Sequence, residues 1–229
     1  MSKTIMLVGF GPGTATAVAE KFGKNGFSVA LVGRNEDRLT TGASALKAQG
    51  IDAHAFPADA GDPESIRAAV RSVRSQLGPI TILHWNAYGG IEVGDLLTAD
   101  AASLHKLFDV AVFGLLAATD EALPDLKQDN SSALLVSNGA LGVVSPETDA
   151  AAVNFHMMGL AISSGAKHKL VGLLAQRLKN DGVYVGEVVV YRTIKGTTPN
   201  DDGAVDPSVI AEKHWELYQS RGETRAVVK

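Results

Sequence analysis

Apolar and polar positions follow two rhythms along this chain. Short continuous apolar runs occur at Ile5–Val8, Phe27–Val32, Ile51–Phe56, Ile80–Trp85, Ala133–Val136 and Val183–Val190. Between them lie longer stretches whose apolar residues recur every three or four positions. The short runs predict strands buried on both faces, and the longer stretches predict amphipathic helices. Ala15, Val18, Ala19 and Phe22 share a helix face, as do Ile66, Ala69, Val70 and Val73. Asn35 with Glu36 and Asp37 starts the second helix, which runs to a C′ glycine at about Gly50. Asp62 and Pro63 suit the cap and first turn of the third. Further helices are expected over 98–123 and 150–179, the latter interrupted near Gly159 or Gly165, and over 207–220, before a terminal strand at 225–228. Strands alternating with helices in this way predict one doubly wound α/β domain over 1–229, with a mostly parallel seven-stranded sheet.

Composition narrows the chemistry. A length of 229 residues suits one large domain with a substantial core. Apolar residues make up 45% and charged residues 20%, and the formal charge of −4 offers no basic field for nucleic acid or anionic membrane. The chain has no cysteine, which excludes disulfides, thiolate metal sites and a cysteine nucleophile. No apolar run approaches the ~20 residues of a membrane span, and a strand begins too early to leave room for a signal peptide. A cytoplasmic protein is the expectation. The histidines at 54, 84, 105, 156, 168 and 214 show no H-x-x-x-H or H-E-x-x-H spacing, so no metal site is expected. Ser137, Ser163 and Ser164 lie outside any G-x-S-x-G elbow.

The richest stretch follows the first strand. It reads Gly9-x-x-x-Gly13-x-Ala15, with an additional Gly11, and runs straight into a helix at Thr14. Strand, glycine turn and helix bring backbone N–H groups and the positive helix end to a phosphate. The spacing departs from G-x-G-x-x-G, and an ordinary glycine turn has the same composition.

Four motifs in order extend the pattern over nearly the whole chain: Val8-Gly9-x-x-x-Gly13-x-Ala15, Asp59 after the third strand, Trp85-Asn86-Ala87-Tyr88 after the fourth, and Ser163-Ser-Gly-Ala-Lys167 followed by Gly172-Leu173. In this order the chain resembles the short-chain dehydrogenase/reductase family. The resemblance implies a Rossmann-type domain with a nicotinamide dinucleotide held by Gly9, Gly11, Gly13 and Thr14, by Asp59 against the adenine, and by Asn86 and Lys167 on the nicotinamide side. Where NAD-selective members carry an acid at the end of the second strand, this chain has Gly33 followed by Arg34. A guanidinium can hold a 2′-phosphate bidentately, so NADP(H) is the expected preference, with NAD(H) possible. Arg34 as a solvated loop residue, Asp59 as a turn acid and Asn86 as a partner for loop backbone are the bland alternatives.

The catalytic positions depart from the family. Lys167 matches the family lysine, but the tyrosine position holds Ser163 and the serine position falls at Asn138-Gly139, most naturally Gly139. Ala111 stands where many members have a helix asparagine. A serine hydroxyl is a far poorer acid than a phenol, and loss of a positioned donor costs about 10²–10⁴ in rate. Tyr88, Tyr191 and His156 are candidate substitutes, each also readable as packing or surface residues. The expected function is an NADP(H)-dependent oxidoreductase acting on a small carbonyl or alcohol through a non-standard proton donor. The alternative is a cofactor-binding protein with weak or no catalysis. The segment 193–220, a polar stretch and then the last helix, should cover the substrate, and the resemblance implies a homodimer or homotetramer through the two long helices.

Overall fold

The computed structural model describes residues 3–197 and 202–229. Strands β1 (Lys3–Val8), β2 (Phe27–Gly33), β3 (Ala53–Pro57), β4 (Ile80–Trp85), β5 (Ala133–Gly139), β6 (Tyr184–Val190) and β7 (Arg225–Val228) form one sheet in the order β3-β2-β1-β4-β5-β6-β7. Every neighbouring pair is parallel. Such pairs need crossovers, supplied by α1 (Thr14–Lys24), α2 (Glu36–Ala48), α3 (Pro63–Leu77), α4 (Ala101–Phe108), α5 (Leu115–Leu126), α6 (Pro146–Asn154), α7 (Met158–Leu178) and α8 (Pro207–Ser220).

The period of two sorts each strand between two cores. Met6, Val8, Leu83, Trp85, Leu134 and Val136 face Ile66, Val70, Leu115, Ala118 and Val171 of α3, α5 and α7. Ile5, Leu7, Val29, Leu31, Ile82 and Leu135 face Val18, Phe22, Leu39 and Tyr218 of α1, α2 and α8. The predicted caps form: Asn35 accepts from Arg38 N at 2.8 Å, and Asp62 Oδ1 accepts from Glu64 N at 2.9 Å.

Two expectations need correction. The stretch 150–179 is two helices, and the break falls at Phe155–Met157, not at either glycine. His156 adopts φ 52° there. Met158 N and Gly159 N donate to Gly94 O and Val93 O, so α7 starts where the β4–α4 loop pins it. A Cβ on Gly159 would lie 2.5 Å from Val93 Cβ, which explains the glycine without a helix break. The second correction concerns length: Ala101–Leu126 is continuously helical and, contrary to the expectation that no stretch approaches a membrane span, is by length and composition long and apolar enough for one. A third of that stretch is buried. Leu115, Ala118, Ala122 and Leu126 pack on the sheet, while Glu121 and Asp125 pair with Arg74. A π-helical turn at Asp109–Gly114 carries the predicted Ala111, which is buried.

Candidate functional site

The crevice of a doubly wound sheet lies at the carboxyl ends of the strands where their order reverses. Here that point is between β1 and β4. Gly9 has φ 87°, and a Cβ there would stand 2.5 Å from Ala87 N, so two backbones meet at this glycine. Gly13, at φ 84°, precedes the first turn of α1 and begins the helix without a side-chain cap, which leaves first-turn N–H groups available. Gly11 is open, with only Arg38 Nη1 near a Cβ position, at 4.0 Å. Thr14 is buried beneath the turn. Backbone donors, a helix end and the absence of Cβ atoms make a cradle that fits a pyrophosphate.

The rim carries the remaining residues predicted for the cofactor. Arg34 is exposed just beyond β2. Asp59 is exposed beyond β3 and accepts from Gly61 N at 2.9 Å through Oδ1, leaving Oδ2 outside that bond. Asn86 bridges the two central strand ends: its Nδ2 donates to Gly9 O at 3.1 Å and its backbone N to Val8 O at 2.9 Å. Its structural part is thus direct. Arg38, absent from the sequence-based set, reaches over Gly11 one turn beyond Arg34, and the Arg34-x-x-x-Arg38 spacing was the available signal.

On the other side of the switch point, Lys167 projects from α7 into the protein and is 3% exposed, its Nζ donating to Ala87 O at 3.4 Å. Burial lowers its pKa to about 8, against the charge of Glu187, which raises it. Ser163, one helical turn earlier, is also buried and donates to Leu160 O at 3.2 Å. Its hydroxyl is bonded to its own helix. Gly139 ends β5 with open space around its Cβ position, whereas Asn138 points inward to Glu187 Oε1 at 2.8 Å and Ser164 O at 3.0 Å. Of these two residues, only Gly139 has open space at its Cβ position.

Tyr88 (63% exposed) and Tyr191 (42%) both sit at the carboxyl edge, the latter beneath Lys229 Nζ at 5.9 Å. His156 occupies the exposed corner between α6 and α7. Ile194 and Thr197 lie over Gly13, and Ile194 bridges to Val205; residues 198–201 of the covering segment are outside the described residues. An apolar hollow of about 550 Å³ lies beside α7, lined by Ala161, Ile162 and Gly165. It faces away from Lys167 because these residues lie on the opposite side of the helix.

Below the cleft, His84 Nε2 and His214 Nε2 lie 3.1 and 3.0 Å from the same Ser137 hydroxyl. Burial pushes His214 down to about 3, and His84 well below its ordinary range, with His214 and Lys167 charges adding to the latter. Both rings are therefore neutral at physiological pH.

A glycine turn at the switch point, with a buried lysine across it, marks this chain as a doubly wound α/β domain with a cleft at the carboxyl ends of its central strands. The short chain dehydrogenase family model matches residues 3–192, and the chain belongs to that family. Among curated relatives, estradiol 17-beta-dehydrogenase 11 of Pongo abelii is 28% identical over 159 residues, covering 66% of this chain and 53% of the relative. The match thus spans about half the length of such relatives. Among solved structures, the NADPH-bound short chain oxidoreductase of Pseudomonas aeruginosa PAO1, described as containing an atypical catalytic center, superposes with TM-score 0.85 at 20% identity, covering 99% of this chain and 95% of that one. The NADPH complex of a short-chain dehydrogenase from Sphingobium yanoikuyae gives 0.80 at 22%, covering 98% and 87%. At these identities the likeness is one of fold.

Proposed function

We propose that the protein is an NADP(H)-dependent oxidoreductase that transfers hydride to or from a small carbonyl or alcohol substrate with a non-standard proton donor. The observation that carries this reading is Lys167: a buried ammonium beside Ala87 O, at the edge of an otherwise backbone-lined cradle. Keeping an ammonium there is costly for a fold that makes no use of it. Gly9, Gly11, Gly13 and Thr14 would hold the pyrophosphate, Asp59 the adenine, and Asn86 and Lys167 the nicotinamide side. Arg34, helped by Arg38, would take the 2′-phosphate and set the preference for NADP(H) over NAD(H). When bound, the cofactor supplies or accepts the hydride. The protein's part is to orient the carbonyl, exclude water and move one proton.

That part departs from the family pattern, since Gly139 has no hydroxyl and Ser163 bonds to Leu160 O. Tyr88 and Tyr191 are the phenols nearest the cleft mouth by strand position. The segment 193–220 would close over the substrate, and a homodimer or homotetramer would assemble through the long helical stretches at about 98–123 and 150–179, where Phe113, Leu116, Ile162 and Leu173 are exposed. The second reading, a cofactor-binding module without turnover, is favoured by the bonded Ser163 hydroxyl.

Fluorescence titration with NADPH and NADH, followed by NADPH oxidation with aldehydes, ketones and quinones, separates the two. Turnover reduced by Tyr88→Phe or Tyr191→Phe identifies a phenolic donor. NADPH binding without turnover of any substrate supports the module, and NADH binding as tightly as NADPH removes the preference.

A further inference from the structure

Glu187 is fully buried in the middle of β6, within the run Val185-Gly-Glu-Val-Val-Val190. A carboxylate in a core strand is costly unless it is paired and hydrogen-bonded. Its Oε1 accepts from Asn138 Nδ2 at 2.8 Å, and its Oε2 accepts from Arg225 Nε at 2.8 Å. Each of these two side chains carries a further N–H, and both reach α7. Asn138 Nδ2 also donates to Ser164 O at 3.0 Å, and Arg225 Nη2 donates to His168 O at 2.9 Å. On its other side the Asn138 amide is held by Gly139 N, which donates to Oδ1 at 3.1 Å. One carboxylate therefore orients two donors, from β5 and β7, onto carbonyls four residues apart in one helix.

Those carbonyls flank Lys167 along the chain. A carbonyl oxygen has two lone pairs, so each can accept from outside and still serve the helix. The turn 164–168 is thus tied to β5 and β7 at both ends, and Lys167 leaves it toward Ala87 O, 3.4 Å from Nζ. The helix also leaves room for the guanidinium: a Cβ on Gly172 would stand 3.1 Å from Arg225 Nη2. A simple anchor for β7 would need only the Glu187–Arg225 pair, without a second donor shared between carboxylate and helix. His168 Nδ1 stands 2.9 Å from Glu187 Oε2 without an aligned hydrogen bond, so His168 joins the arrangement through its backbone carbonyl.

We propose that Glu187 is a positioning residue for Lys167: by aligning Asn138 and Arg225 on the 164–168 turn, it fixes where the ammonium stands beside Ala87 O. The use of that place in hydride transfer rests on the oxidoreductase reading; the alignment itself does not. Among the described residues no hydrogen bond joins Glu187 to Lys167, so the effect passes through the helix backbone. Glu187 remains an ionised acceptor throughout and moves no proton. Each of its oxygens serves one donor, whereas a glutamine amide has a single oxygen to offer. In Glu187→Gln one donor must therefore face an NH₂ group, and its hold on the α7 carbonyl is lost.

The test reads Lys167 directly and needs no turnover. Arg225→Lys, at a side chain 40% exposed, keeps every charge but lacks the planar fork that spans Glu187 and His168 O. NMR titration uses protein labelled on the lysine Cε and Nζ atoms, with the Lys167 signal assigned by Lys167→Arg. Burial holds the Lys167 midpoint at about 8. A loosened turn admits water, so in Arg225→Lys that midpoint should rise by about one pH unit. Both Arg225→Lys and Glu187→Gln should raise the NADPH dissociation constant about fivefold and lower kcat for carbonyl reduction about 10-fold, with the carbonyl KM within about twofold. Tyr184→Phe is the control: Tyr184 OH donates to Glu223 O at the same sheet edge, on the α8 side of the sheet. That change should lower stability and leave the Lys167 midpoint in place. An unmoved midpoint in Arg225→Lys overturns the positioning, and so does an equal movement in Tyr184→Phe. If Glu187→Gln does not fold, Arg225→Lys decides alone. Absence of turnover in the parent removes the oxidoreductase reading, while the Lys167 midpoint still decides the positioning.

Discussion

The two sides of the switch point build their functional surfaces from different materials. On the β1–β3 side the chemistry belongs to the backbone: Gly9 and Gly13 at positive φ, an uncapped helix start, and exposed Arg34 and Asp59 at the rim. On the β4–β6 side it belongs to buried side chains: Lys167, Asn138, Glu187, His84 and His214. A backbone cradle depends only on glycine where two chains meet, and the remaining side chains can drift without harm. A side-chain site has no such protection. One replacement there would change the chemistry while the fold stays intact.

Titration of the buried histidines should break the symmetry most strongly. His214 takes its proton at about 3 in the folded chain and near 6.5 when unfolded. Between those values the unfolded state binds more protons, so stability is complete above the unfolded value and falls as pH drops through the window, by about 5 kcal/mol at most. Chemical denaturation across pH should show the loss, and His214→Gln, which keeps a hydrogen-bonding group, should flatten it.

Lys167 gives the next largest effect. Its folded value of about 8 lies below the unfolded 10.5, so at pH 7 both states are charged and the folded chain bears the full cost of burial, about 3 kcal/mol at ~1.4 kcal/mol per pH unit. That cost fades as pH rises from about 8 to 10.5. Lys167→Met should therefore stabilise the cofactor-free protein at pH 7, with the gain shrinking above pH 8, and should weaken NADPH binding. A melting temperature unchanged at pH 7 would show that the burial cost is already compensated.

On the backbone side the largest response is expected from Gly9→Ala, because its Cβ would meet Ala87 backbone 2.5 Å away at φ 87°. A loss of about 2 kcal/mol or more in denaturation, with NADPH binding weakened about 100-fold, is expected. Arg34→Ala is milder: about 10-fold weaker NADPH binding with NADH nearly unchanged, a difference of about 1.4 kcal/mol. Gly139→Ser should be smallest in stability, within about 0.5 kcal/mol, because its Cβ enters open space. Any gain in carbonyl reduction by that variant would measure what the missing hydroxyl contributes.

Much of this molecule is local enough to read along the chain. Continuous apolar runs determined the strands, Asn35 and Asp62 determined helix starts, and glycines at 9 and 13 marked the cradle, because each signal lies within a few residues of its structural consequence. Lys167 was singled out only by the family resemblance, and nothing around it in sequence indicated a buried ammonium. The break at His156 escaped because contacts with Val93 and Gly94 set it, not the glycines nearby. The Glu187 cluster and the pair of histidines sharing the Ser137 hydroxyl were decided by tertiary structure alone. Glu187 meets Asn138, His168 and Arg225 from three other elements, and His84 meets His214 across the sheet layer. Strand period and turn composition act over neighbouring residues, whereas the environment of a buried charge is set by residues that only the parallel register and helix packing bring together.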